Sequence, residues 1–265
     1  MTQTVQTTAP TVDWGDWLQR WDAQQSLYLP DREERFQVML DVLEVATPGP
    51  LLVLDIACGP GAISQRLIER FPSAEVLALD TDPVLLAIGE GALGTLGGRV
   101  SWIKDDLTDP AWADRLADRL GGRLLDAVLS STALHWVSPG VLAGVYRELG
   151  GLMRSGGVFL NADHIASAPH LETIRSVSST MRERRRNLPP ERAGAETWDG
   201  WWEAIRREPE LAEVLAERDQ RLSWRDRKWA NAGLDFQAGA LKDAGFREVD
   251  TIWQRFDNRI LMAVR

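Results

Sequence analysis

Apolar and polar positions along this chain fall into blocks that switch between the strand period and the helix period. Leu51 to Leu54 are continuously apolar, as a central parallel strand buried on both faces would be. After a glycine turn, Ile63, Leu67, Ile68 and Phe71 recur at the spacing of one helix face. The unit then repeats. Glu75 to Leu79 reads as a second strand, and Asp82-Pro83 supplies an N-cap and first position for a helix through Ile88, which the glycine-rich stretch 89–98 is expected to end. Val100 to Lys104 is a third strand, and Asp109-Pro110 starts a helix carrying Trp112, Leu116 and Leu120. Leu124 to Ser130 is a fourth, and Ser138-Pro139 opens the next helix. The turn Ser155-Gly156-Gly157 precedes a fifth strand, Val158 to Ala162. Strands alternating with helices predict an α/β fold, a doubly wound, largely parallel sheet.

The flanking blocks read differently. Residues 1–12 are polar and rich in Thr and Gln, as a disordered tail would be. Residues 13–48 place Trp14, Trp17, Trp21 and Tyr28 at near-helical spacing and are expected to form a helical lid over a core at 49–164. Residues 165–235 show no β alternation and bring Trp198, Trp201, Trp202 and Trp224, so they read as a helical substrate cap. Residues 236–265 close the chain with a helix over Phe236–Ala244, capped by Gly245. Two strands follow, Glu248–Phe256 and Ile260–Val264, joined at Asp257-Asn258, and they complete the sheet.

The chemistry concentrates in Leu51–Ser64, LLVLDIACGPGAIS. Glycines in such a loop let the backbone approach a ligand, and amides at the helix start are free donors. Asp80 ends the second strand about twenty residues on, where a ribose-binding carboxylate sits in nucleoside-binding folds. An ionised carboxylate accepts hydrogen bonds from a vicinal diol. The third glycine position of a dinucleotide loop is Ser64 here, and Asp55 stands beside the loop. A carboxylate there repels a pyrophosphate and attracts a cationic ligand. The alternative is that Asp55 only caps loop amides.

LDIACGPGAIS followed by ALDTDP resembles the class I S-adenosylmethionine-dependent methyltransferases. The family's usual D/E-x-G-x-G-x-G has Ala57 at its first glycine here, a mild departure unless that position needs positive φ. ALHW at 133–136 resembles the small-molecule branch that includes trans-aconitate methyltransferase. The resemblance implies a Rossmann-like seven-stranded sheet in the order 3-2-1-4-5-7-6, its last strand antiparallel, with S-adenosyl-L-methionine as cofactor. It implies cofactor contacts at Asp55, Ala57, Gly59, Gly61, Asp80, Thr81 and Ser130, with Asp106 and Leu107 meeting the adenine; Asp105 reads as a solvated turn residue.

Ligands in such sheets lie outside the carboxyl ends of the strands, so 130–136 face the reaction site. Methyl transfer is an in-line displacement that needs alignment and exclusion of water rather than a protein nucleophile. His135 is the first candidate base, and His164 with Asp163 the second. Trp21, Tyr28, Trp136, Trp201 and Trp202 are candidates for an aromatic substrate pocket, which would suit an apolar or planar acceptor, although packing anchors are the competing reading for each. Arg182 to Arg186, RERRR, reads as a solvated helix face. Two other functions stay open: cofactor-assisted cyclisation or decarboxylation, and a non-catalytic cofactor-binding subunit.

Composition narrows the partners. A formal charge of −9 over 265 residues argues against a nucleic-acid substrate, which needs a basic face, and leaves a small molecule. No run approaches a membrane span, no metal site is expected, and a homodimer is left open. Cys58 is the single cysteine, so no intramolecular disulfide forms, which suits a cytoplasmic location.

Overall fold

The computed structural model describes residues 12–186, 195–223 and 232–265. The expected N-terminal tail, apart from Val12, and Trp224 lie outside the described residues. Seven strands form one sheet: β1 (Leu52–Ile56), β2 (Glu75–Asp80), β3 (Val100–Lys104), β4 (Leu125–Ser131), β5 (Met153–His164), β6 (Glu248–Arg255) and β7 (Asn258–Val264), in the order β3-β2-β1-β4-β5-β7-β6. The first five pair in parallel, and β7 runs antiparallel to both β5 and β6. The expected topology holds strand for strand.

The helices are α1 (Trp14–Tyr28), α2 (Arg32–Ala46), α3 (Ala62–Arg70), α4 (Pro83–Leu93), α5 (Trp112–Leu120), α6 (Pro139–Leu152), α7 (Glu172–Arg186), α8 (Trp198–Ile205), α9 (Ala212–Leu222) and α10 (Leu234–Asp243). Alternate side chains of each strand point to opposite faces, so the unbroken apolar run of β1 feeds two cores. Leu54, Ile56, Leu79, Val128 and Phe159 pack against α5, α6 and α10. Val53, Val76, Ala78, Leu129 and Leu160 pack against α2 and α3.

Helix α4 is longer than its glycines suggest. It continues through Gly89 and Gly91 to Leu93 and ends at Gly94. Those two glycines are helical because aromatic rings occupy the space a Cβ would need: a Cβ at Gly89 would meet the Trp102 ring at 2.5 Å, and one at Gly91 would collide with Trp14. The propensity penalty of glycine is offset by close ring packing. At the far end of the chain Ala244 takes the C-cap of α10, and Gly245, expected there, follows with φ +89°.

Helices α1, α8 and α9 are seated on α4. Trp17, Trp21, Trp201 and Trp202 join Val84, Leu85 and Ile88 in a third apolar cluster. The rings meet edge to face, with centroids 5.0 Å apart for Trp21 and Trp201 and 4.9 Å for Trp201 and Trp202. Arg218 of α9 lies 3.6 Å over the Trp202 ring and donates to the Asp82 carboxylate at 2.6 Å, fastening α9 to the N-terminus of α4.

The turn from β1 to α3 carries the main departure from expectation. Ala57 has φ 57°, so the first glycine position does require the left-handed region, and its methyl is strained there. That conformation costs an L-residue about 1–2 kcal/mol, against the smaller entropic penalty of glycine. Ala57→Gly is therefore expected to stabilise the protein by about 1 kcal/mol, read as a raised urea midpoint at unchanged m value. An unchanged or lowered midpoint contradicts this.

Candidate active site

The carboxyl ends of β1, β2, β3, β4 and β5 converge on one edge of the sheet, and the sequence-predicted residues gather there. The loop after β1 is folded by its own backbone: the Cys58 N–H donates to the Leu79 carbonyl, and the Gly61 N–H to the Cys58 carbonyl. Asp80 joins the loop to the next unit. One carboxylate oxygen accepts the Gly59 N–H at 2.7 Å, and the other accepts the Asp82 N–H at 2.8 Å. Each oxygen keeps further acceptor capacity. Burial, opposed by the amides it accepts, pushes the Asp80 carboxyl up to about 6.

The two loop glycines have separate reasons. Gly59, at φ +56°, has only a Leu85 methyl at 3.9 Å where its Cβ would be, so its backbone is open to a ligand. Gly61, at φ +81°, faces the Trp102 ring at 2.5 Å, so its requirement is internal packing. A nucleoside ligand fits this edge. It offers further donors to the buried Asp80 carboxylate, and it finds an open cradle at Gly59.

Three polar residues sit deeper than the sequence implied. Asp55 is buried and accepts the Ser64 hydroxyl at 2.6 Å, so it ties β1 to α3; burial pushes its carboxyl up to about 7. Ser130 is buried and its hydroxyl oxygen has no hydrogen-bond partner, leaving a polar atom to be satisfied at the end of β4. Asp105, expected to be a solvated turn residue, is buried instead: Arg115 donates to it at 2.9 and 2.5 Å, and it accepts the Asp106 N–H. Asp106 and Leu107 stay partly exposed beside Thr81, whose hydroxyl donates to Asp106 at 3.4 Å.

The reactive end is built from β4, β5 and a short helical turn at Leu134–Trp136. The buried Asp163 accepts the His135 N–H at 3.0 Å on one oxygen. Its other oxygen takes the His135 ring Nδ1 at 2.7 Å and the His164 N–H at 2.7 Å. Burial alone would raise the Asp163 carboxyl, but His135, His164 and Arg35 together hold it below the ordinary carboxylate range. Asp163 thus pairs with His135. His164 turns toward Asp257, at 3.7 Å.

The aromatic candidates separate. Trp21, Trp201 and Trp202 are buried in the cluster on α4, so their rings hold helices together. The Tyr28 hydroxyl accepts the Trp198 N–H at 3.0 Å, and Trp136 is 46 % exposed with its ring 4.7 Å from that of His135. Tyr28 also lines a small cleft of about 30 Å³ with His164, Arg182, Phe256, Asp257 and Asn258. Arg182, expected on a solvated face, lines the same cleft and donates to Asp257 at 2.5 Å. A larger cavity of about 340 Å³ lies between α6 and α10, lined by Arg147, Phe236 and Asp243, and no residue of the strand-end cluster reaches it.

Sequence reasoning missed Arg35, Asn258 and the pairing of His135 with Asp163. Arg35 had a signal. It lies in the apolar stripe of α2 with Phe36, Met39, Leu40 and Leu43, where a charge needs a reason. The partner choice of Asp163 had none, because two histidines lie near it and only the geometry separates them.

Residues 53–157 match the family described as a methyltransferase domain. The trans-aconitate 2-methyltransferase of Acidovorax ebreus (strain TPSY) is 31% identical over 139 residues, covering 52% of this chain and 47% of the relative. That of Methylobacterium radiotolerans is 29% identical over 162 residues, covering 60% and 56%. The chain spans about half the length of the curated relatives it matches. Among solved structures, an O-methyltransferase family protein of Burkholderia thailandensis superposes with a TM-score of 0.54 at 17% identity, covering 93% of this chain and 59% of that one. DesVI of Streptomyces venezuelae gives 0.55 at 12%, covering 96% and 99%. The structural likenesses show the fold. Residues 53–157 thus match a methyltransferase domain, and over about half their length the trans-aconitate 2-methyltransferases are what the chain resembles.

Proposed function

We propose that this protein transfers a methyl group from S-adenosylmethionine to a small molecule whose nucleophilic atom must shed a proton. The observation that carries the reading is the His135–Asp163 pair at the carboxyl end of β4, next to the expected cofactor edge. When bound, S-adenosylmethionine supplies an electrophilic methyl on a sulfonium. Asp80 and the Gly59 backbone hold the nucleoside part, and Asp106 with Leu107 flank its base. Asp163 accepts from Nδ1 and so fixes the neutral imidazole with its lone pair on Nε2. His135 Nε2 then takes the proton from the acceptor as the new bond forms.

The acceptor class follows from this arrangement and from charge. With a net charge of −9 the chain is read as acting on a small molecule rather than a nucleic acid. The apolar or planar acceptor suggested by the tryptophans loses its support, because three of the five rings are packed away. A base is superfluous for an acceptor that is already a carboxylate, such as the one named in the trans-aconitate relatives. The pair therefore favours a hydroxyl or a comparably weak acid.

Incubation with methyl-labelled cofactor tests this. Label is expected in a hydroxyl-bearing small molecule from an extract, with S-adenosylhomocysteine released, and His135→Gln should lower kcat by about 10²–10⁴-fold. Transfer only to trans-aconitate, with His135→Gln near full activity, overturns the base assignment; release without labelled product overturns methyl transfer.

Affinity for S-adenosylhomocysteine should also depend on pH through Asp80. Its free carboxyl is raised to about 6, and donors from a diol favour the ionised form. Binding is thus strongest above about pH 6 and should weaken by roughly tenfold per pH unit below it. Asp80→Asn should weaken binding at pH 8 by about 10- to 100-fold, the loss of a hydrogen bond to a charged group. Calorimetry showing flat affinity from pH 5 to 8, unchanged in Asp80→Asn, contradicts the ribose role.

A further inference from the structure

Arg35 is a fully buried arginine in the middle of α2, outside every motif of the family resemblance. Its guanidinium reaches across the sheet edge to three separate segments. Nη2 lies 2.8 Å from the Ser131 hydroxyl, 2.7 Å from the Thr132 hydroxyl and 2.6 Å from the Ala162 carbonyl. Nη1 donates to the Asn258 side-chain oxygen at 2.9 Å. One side chain thus clamps the end of β4, the residue before Asp163 on β5, and the start of β7.

What it clamps is strained. Thr132 has φ 59°, a genuine outlier for a β-branched residue, held by its N–H to the Ala162 carbonyl at 2.9 Å and by the guanidinium on its hydroxyl. Such strain persists only where the surroundings over-determine it. Thr132 opens the segment that ends in His135, three residues on, so the strained residue sets where the imidazole sits. A planar fork with five donors can hold several acceptors at once, which a lysine cannot.

Charge points the same way. The titratable groups acting on Asp163 are His135 from the turn after β4, His164 from β5 and Arg35 from α2, while Asp163 in turn acts on Tyr146 of α6. Arg35 itself also feels Arg32 and Asp31 at the start of α2. Burial lowers the Arg35 guanidinium to about 10, which leaves it cationic at neutral pH.

We propose that Arg35 is the positioning residue of the His135–Asp163 pair: it ties down the strained segment that carries His135 and sets a buried positive charge beside Asp163, so that the imidazole proton stays on Nδ1. This rests on reading the pair as the proton acceptor. Arg35 touches no reacting atom. It acts through the segment it holds and the buried positive charge it adds near the carboxylate.

The chain has three histidines, so ring nitrogens can be followed individually by NMR on the ¹⁵N-histidine-labelled 265-residue chain, with His135 assigned by its loss in His135→Gln. In the parent protein, the neutral His135 ring should show two widely separated ring-nitrogen shifts with the proton on Nδ1. In Arg35→Met that separation should be lost to tautomer averaging, and Arg35→Lys, which restores charge without the fork, should recover part of it. Should Arg35→Met fail to fold, the double variant Ser131→Ala/Thr132→Val removes two acceptors of the clamp and should give the same loss. A folded Arg35→Met or double variant that keeps the full separation overturns the proposal for Arg35. A parent protein whose His135 is already averaged, or carries its proton on Nε2, overturns the reading of the pair itself.

Discussion

Asp80 is the joint on which this site depends. Its two carboxylate oxygens hold the β1–α3 loop at Gly59 and the start of α4 at Asp82, so one buried side chain fixes the spacing between two βα units. Everything seated on α4 inherits that placement. Trp14 of α1 packs against Gly91, α8 adds its tryptophans, and Arg218 of α9 pairs with Asp82. The acid that would bind the ribose is also the acid that aligns the covering helices. A buried carboxylate with few donors is expensive to ionise, and the ligand relieves that expense.

Acidity recurs along the same edge. Asp55, Asp80 and Asp82 are all raised by burial, Asp82 in spite of its arginine partner, whereas Asp163 is held down by the cations around it. The contrast divides the edge into two halves. On the β1–β2 side burial outweighs the donors the carboxylates already accept, as suits a place that receives further donors and a positive ligand. On the β4–β5 side Asp163 is already saturated by protein donors, as suits a group whose work is to orient His135. Two carboxylates differing in environment are thereby given different tasks.

The fold was largely legible because its signals are local. Continuous apolar runs marked the parallel strands, and Asp82-Pro83 and Ser138-Pro139 marked helix starts within one residue. What misled was information held elsewhere in the chain. Gly89 and Gly91 read as a helix end, yet rings from β3 and α1 fill their missing side chains. Asp105 read as a solvated turn until Arg115, ten residues on, turned back to it. The tryptophans suggested a pocket because composition shows aromatic character and not which faces meet. Arg35 reaches residues about a hundred and more than two hundred positions away, and no spacing rule reports that.

The proposed chemistry requires a nucleoside ligand docked on Asp80 with its reactive end toward His135. A crystal structure of the full chain with S-adenosylhomocysteine bound measures this directly. Both ribose hydroxyls are expected on the Asp80 carboxylate, the base beside Asp106 and Leu107, and the sulfur on the side of His135. A ribose held elsewhere, or a sulfur turned away from the β4–β5 edge, would contradict it.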